Sequence, residues 1–206
     1  MGIYAMTGGA TGIGAELKRQ LLEQGHAVIS VDIKEGDVIA DLSTKEGRQA
    51  AVDGIRERAP DGLDGFIPCA GLPPVARPLS LIAQVNYFAV VDTVEGVRDL
   101  VAKKRGTVLI VASNSAPMIQ NEDPFVQKCL AGDEAAACAE IESRDGHTAY
   151  AGSKRAITLW MRRNVVDYAQ GGVRINAVAP GITNTPLSDR VLADEEMGAA
   201  IKQFQD

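Results

Sequence analysis

The chain has 206 residues, 46% of them hydrophobic, and a formal net charge of −6. That length and apolar content exclude global disorder and suit a soluble protein with a sizeable core, while the acidic balance and the lack of a basic stripe exclude a nucleic-acid surface. Cys69, Cys129 and Cys138 form no CxxC pair, which argues against a disulfide framework and against a zinc site, so no metal is expected.

The start MGIYAMTGG carries no charged region ahead of its apolar residues, and position 6 is Met, outside the usual myristoylation pattern. No later stretch approaches the run of about 18 apolar residues that a membrane span needs. A cytoplasmic protein with no membrane partner is expected.

The first predicted strand, IYAMT, runs straight into TGGATGIGAELKRQLLEQG. Glycines at a strand-to-helix turn allow backbone to approach a phosphate closely, and a helix N-terminus supplies amide donors and partial positive charge. Gly8, Thr11, Gly12, Ile13 and Gly14 are therefore candidate cofactor residues, although the spacing is not the commoner GxGxxG. Gly25 suits the position just past the end of this helix.

The second predicted strand, AVISVD, ends in Asp32. A carboxylate there accepts hydrogen bonds from the ribose hydroxyls of adenosine and repels a 2′-phosphate, which predicts NAD over NADP. Lys34, a nearby cation, offsets part of that repulsion. Ser43-Thr44-Lys45-Glu46 reads as a capping box that opens the next helix.

Three more strands follow, within LDGFIPCAG, TVLIVAS and VRINAVAP, separated by helix-like stretches. Their apolar runs are continuous rather than alternating, which predicts strands covered on both faces in a parallel sheet built from βαβ units. No internal repeat or linker divides the chain, so residues 1–206 are expected to form one domain. Lys103-Lys104-Arg105 falls at a predicted helix end, where cations complement the dipole.

Residues 117–146 contain GDEAAACAEIESRDG, which reads as an inserted helix or helical pair. In AYAGSKRAITLW, Tyr150 and Lys154 lie one helical turn apart on one face. Alone, that spacing fits a packed ring beside a surface charge as well as a catalytic pair. After VRINAVAPGITNTP there is one more helix-like segment, with Asp194-Glu195-Glu196 suited to its first turn, and no final strand; either the sheet is complete with fewer strands or the last part of the fold is missing.

The residues TGGATGIG, CAG at 69–71, VNYF at 85–88, Ser113, YAGSK and NAVAPG together resemble the short-chain dehydrogenase/reductase family in order and placement. VIADLSTKEGR, CLAGDEA and RNVVD resemble its bacterial 3α-hydroxysteroid dehydrogenase/carbonyl reductase subgroup. The resemblance implies a Rossmann-type doubly wound α/β fold with a helical insertion before the catalytic helix. It also implies a catalytic tetrad of Asn86, Ser113, Tyr150 and Lys154, in which Tyr150 acts as acid or base, Ser113 holds the substrate oxygen and Asn86 holds a water leading from Lys154 to solvent.

Lys154, by the same resemblance, lowers the Tyr150 pKa and binds the nicotinamide ribose. Asp41 and Leu42 are placed by the adenine, Cys69, Ala70 and Gly71 along the cofactor, and Pro180, Gly181, Ile182 and Thr183 around the carboxamide. CAG stands where NAG is commoner, and Ser115 offers a second hydroxyl beside Ser113. The implied activity is NAD-dependent interconversion of a secondary alcohol and a ketone, a 3α-hydroxysteroid or a smaller carbonyl compound. The insertion implies a homodimer built through a face other than the family's usual one.

A reading from another class is an NAD-binding sensor or scaffold without turnover. Such a protein needs the glycine loop and Asp32 but has no use for Ser, Tyr and Lys together. His26 and His147 lack ligand-spaced partners, and Trp160 and Met161 read as helix packing.

Overall fold

The computed structural model describes residues 1–195, 198 and 199. Its six parallel strands are β1 (Ile3–Thr7), β2 (Ala27–Asp32), β3 (Val38–Ile39), β4 (Gly65–Pro68), β5 (Thr107–Val111) and β6 (Arg174–Val178). Their order is β3-β2-β1-β4-β5-β6, which reverses direction between β1 and β4 and opens a crevice at the carboxyl ends of those strands. All four residues of β4 are buried, as a central strand covered on both faces requires. β6, at the sheet edge, leaves Arg174, Asn176 and Val178 exposed.

The predicted strands fall where the hydrophobic runs place them, and β3 is an addition. It has two residues, paired through Val31 with Val38 and Asp32 with Ile39, too short for any periodicity to register.

Helix α1 (Gly12–Glu23) ends as the sequence predicts. Gly25 takes φ +79°, its N–H donates to the Leu22 carbonyl and that of His26 to the Leu21 carbonyl, the paired bonds of a Schellman motif. Helix α2 (Lys45–Arg58) corrects the capping prediction by one residue. Its cap is Thr44, whose Oγ1 accepts from the Gly47 N–H at 3.0 Å, while the Ser43 hydroxyl turns back to Asp41.

Ser80–Ala83 (α3) and Ala89–Lys103 (α4) form one rod interrupted by a π-helical turn at Gln84–Phe88. The insertion is a helical pair, α5 (Pro124–Leu130) and α6 (Glu134–Glu142). It is tied to the body of the fold by Arg48, which is 2% exposed and donates to Asp92 of α4 and to Glu134 of α6. Glu142 accepts from the Ser80 N–H at 2.6 Å, fastening the insertion to the segment after β4.

The long helix α7 (Gly146–Gln170) starts at Asp145, whose carboxylate accepts from the Thr148 N–H. A side chain on Gly152 would run into Phe125, so α7 and α5 meet there. Helix α8 (Pro186–Leu192) is followed by a turn. Of the acidic run expected to open the last helix, Asp194 lies in that turn, Glu195 is helical and Glu196 is outside the described residues. No helix among the described residues is long and apolar enough to cross a membrane.

Candidate active site

The glycine loop is folded flush against the chain leaving β4. Gly8 takes φ +71°, and a Cβ on it would stand 2.6 Å from the Ala70 Cα. A Cβ on Gly14 would strike the Gly8 carbonyl, with the Cys69 Sγ 3.5 Å away. Only glycine fits at either place. Gly12, at φ +57°, faces Thr185, the N-cap of α8, so the start of that helix overhangs the loop.

Thr11 is the N-cap of α1 but makes no side-chain capping bond. The amides of Gly12, Ile13 and Gly14 are first-turn donors, out of reach of any preceding helical carbonyl. They and the helix dipole form a cradle suited to a pyrophosphate. Asp32 stands at its far side, where its carboxylate accepts from the N–H groups of Ala10 at 3.2 Å and Lys34 at 3.3 Å. Both contacts are backbone, so the negative charge is held in place without being neutralised. Asp41 and Leu42 follow β3, whose Ile39 pairs with Asp32. The Asp41 carboxylate accepts from the Ser43 N–H and hydroxyl, and Leu42 is buried.

Thr7 stitches β1 to the end of β4. Its carbonyl accepts from the Cys69 N–H and its hydroxyl from the Ala70 N–H at 3.1 Å. The π-helical turn then delivers Asn86, fully buried, to the same chain: its Oδ1 accepts from the Leu72 N–H at 2.7 Å and its Nδ2 donates to the Leu72 carbonyl at 3.0 Å. Both polar atoms of the Asn86 side chain thus act as a clasp on Leu72. A Cβ on Gly71 would lie 3.5 Å from Asn86 Oδ1 and 3.9 Å from Lys154 Nζ. The absence of a side chain lets these groups share one small space.

Ser113 follows β5, and Tyr150 and Lys154 come from the first turns of α7. Lys154 is 6% exposed, and its ammonium donates to the Val111 carbonyl at 2.8 Å. Burial pulls its pKa down from 10.5 to about 8, with the Cys69 thiol acting weakly the other way. Burial likewise holds the Cys69 thiol above its ordinary range, against the pull of Lys154.

Burial raises the Tyr150 pKa, and the neighbouring Ser113 hydroxyl works to lower it. The ammonium and the positive nicotinamide ring, expected together to favour the phenolate, thus have burial of the phenol working against them. Lys154 Nζ stands 5.9 Å from the centre of the Tyr150 ring and is committed to Val111. Desolvation therefore outweighs it. Pro180 is joined to the site through its carbonyl, which accepts from the Asn114 N–H, while Gly181, Ile182 and Thr183 lie exposed beyond it.

The tetrad and the glycine loop converge on the crevice. Sequence reasoning passed over Thr7, Leu72, Val111 and Thr185, which hold the site through backbone groups or packing and carry no motif. A strand-to-helix glycine turn at the switch point of a parallel sheet, with Ser, Tyr and Lys beside it, defines a pyridine-nucleotide oxidoreductase acting on CH–OH groups. The chain belongs to the short chain dehydrogenase family, whose model matches residues 3–123 and 136–196. The stretch between, 124–135, holds α5 and the beginning of α6.

The chain is 37% identical to the 3-alpha-hydroxysteroid dehydrogenase/carbonyl reductase of Comamonas testosteroni, over 99% of this chain and 81% of that protein. It is 28% identical to the cis-4-hydroxycyclohexanecarboxylate dehydrogenase of Sinomonas cyclohexanicum, over 98% of this chain and 81% of that one. In structure it is similar to the 3-alpha-hydroxysteroid dehydrogenase of Pseudomonas sp. B-0831, solved with NADH, at a TM-score of 0.95 and 42% identity over 98% of this chain and 80% of that one. The sensor reading finds no support among these dehydrogenases.

Proposed function

We propose that this chain oxidises 3α-hydroxysteroids, or reduces the corresponding ketones, with NAD as cofactor and Asn86, Ser113, Tyr150 and Lys154 as its working residues. The observation that carries this reading is the gathering of Ser113, Tyr150 and a buried Lys154 at the mouth of a loop only glycines can form. The steroid comes from the two relatives that carry it in their names.

When bound, the oxidised nicotinamide supplies the hydride acceptor and a positive charge beside Tyr150. Ser113 donates a hydrogen bond to the substrate oxygen, and the Tyr150 Oη takes its proton as the carbonyl forms. Lys154 keeps a positive charge in a desolvated place, where it acts on both the cofactor ribose and the Tyr150 phenolate that receives the proton. Asn86 holds the Gly71–Leu72 chain against Lys154, so its side chain supports the site through the backbone. The fixed charge of Asp32 favours the free ribose hydroxyls of NAD over a 2′-phosphate.

The test is the initial rate of NADH formation by the purified chain with androsterone, with NADP in parallel. Turnover with NAD well above that with NADP is expected; activity confined to small secondary alcohols would remove the steroid and leave the reaction. Tyr150→Phe is expected to lose about 10³-fold in kcat, with NADH binding, followed by nucleotide fluorescence, unchanged. Full turnover in that variant would sink the mechanism. A homodimer is part of the proposal, to be checked by light scattering at micromolar concentration.

A further inference from the structure

The loop after β5 carries a second hydroxyl that none of the roles above uses. Ser115 is half-buried, one turn beyond Ser113, and meets it twice: its N–H donates to the Ser113 Oγ at 3.2 Å, and the two Oγ atoms stand 2.9 Å apart. A serine hydroxyl has one proton to give and two lone pairs. The Ser115 N–H occupies one lone pair of Ser113.

The direction of the hydroxyl pair then decides what Ser113 can do. Were Ser113 the donor to Ser115, its single proton would be spent inside the loop, and nothing would remain for Tyr150 or a substrate oxygen. With Ser115 as donor, both lone pairs of Ser113 are filled from the loop and its proton has one outlet, the crevice. The role of Ser113 as donor to the substrate oxygen requires that arrangement.

We infer that Ser115 is a positioning residue, which saturates the acceptor sites of Ser113 and so commits the Ser113 proton to the reacting oxygen. The inference rests on Ser113 being the substrate-facing donor. Ser115 itself touches neither substrate nor Tyr150 in this scheme. Its loop is anchored independently, by the Ala116 N–H donating to the Ser113 carbonyl and the Asn114 N–H donating to that of Pro180, so removing the hydroxyl leaves the turn in place.

Two measurements on the full chain test it. The first is steady-state oxidation of androsterone with NAD by Ser115→Ala, Ser115→Thr and Ser113→Ala. Ser115→Ala is expected to lose about fivefold to tenfold in kcat with the KM for NAD unchanged, Ser115→Thr to recover it, and Ser113→Ala to lose more. The second needs no substrate: alkaline titration of tyrosinate absorbance, with Tyr150→Phe subtracted as blank. Ser115→Ala is expected to move the Tyr150 midpoint upward, because the acceptor site vacated on Ser113 can then take a hydrogen bond from the neutral Tyr150 hydroxyl, and Ser115→Thr to restore it.

A wild-type titration midpoint in Ser115→Ala overturns the inference, whatever the substrate proves to be. Wild-type kcat in that variant beside a strong loss in Ser113→Ala overturns it while leaving the Ser113 role standing. A larger loss in Ser115→Ala than in Ser113→Ala overturns both, since Ser115 would then be the donor.

Discussion

Two cations are buried among the described residues, and their surroundings differ in every respect but burial. Arg48, beneath the insertion, makes five hydrogen bonds: to the Leu42 and Ser43 carbonyls, to Asp92, and twice to Glu134. Burial pulls its pKa down, but the bonds and charges of Glu134 and Asp92 prevail and raise it. Lys154, at the crevice, donates to the Val111 carbonyl, and no carboxylate among the described residues pairs with it. Its pKa falls to about 8. One buried charge is compensated and holds helices together; the other is left with surplus charge where a reaction can draw on it.

The comparison can be broken by removing each charge in turn. The largest effect expected is on turnover: Lys154→Met should lose about 10²-fold or more in kcat, measured as NADH formation, whereas Arg48→Met should stay within severalfold of the parent at low temperature. Equal losses would erase the distinction.

Stability should move in opposite directions. Arg48→Met leaves Glu134, largely buried, without its partner and is expected to lose roughly 3 kcal/mol in urea unfolding. Lys154→Met removes an uncompensated buried charge and is expected to gain roughly 2 kcal/mol at neutral pH, the mark of a group kept for function at the expense of stability.

The smallest effect sharpens the contrast through pH. Below the folded-state pKa of about 8, both folded and unfolded chains hold the Lys154 proton, and the full penalty of the buried charge is present. Between that value and the ordinary 10.5, the unfolded chain retains a proton the folded one has released, so stability rises with pH across this window. The gap between Lys154→Met and the parent should therefore narrow from pH 8 upward. A gap that widens would place the Lys154 shift in the other direction.

The fold and the reactive side chains were legible because their signals are local. Five strands came from apolar runs, the glycine loop from its place between strand and helix, and Tyr150 with Lys154 from one turn of spacing joined to the family resemblance. What escaped was non-local or too short. Arg48 and Glu134 are 86 positions apart, and an ion cluster around one buried guanidinium leaves no periodic trace. β3 has two residues. The direction of the Tyr150 shift depends on desolvation, which the spacing of a motif does not contain, and the use of Asn86 depends on where the Leu72 backbone runs.

The π-helical turn at Gln84–Phe88 also sets what the rod from Ser80 to Lys103 can tolerate. One residue more than a regular helix needs is stored there, and an α-helix turns by about 100° per residue. Were residues 84–88 wound as regular α-helix instead, the upstream half would swing around its axis by roughly that angle. Asn86 would leave Leu72, and Ser80 would leave Glu142. The irregularity is a phase adjuster: α4 packs on the sheet in one angular setting and α3 faces the insertion in another, and a single surplus residue reconciles the two.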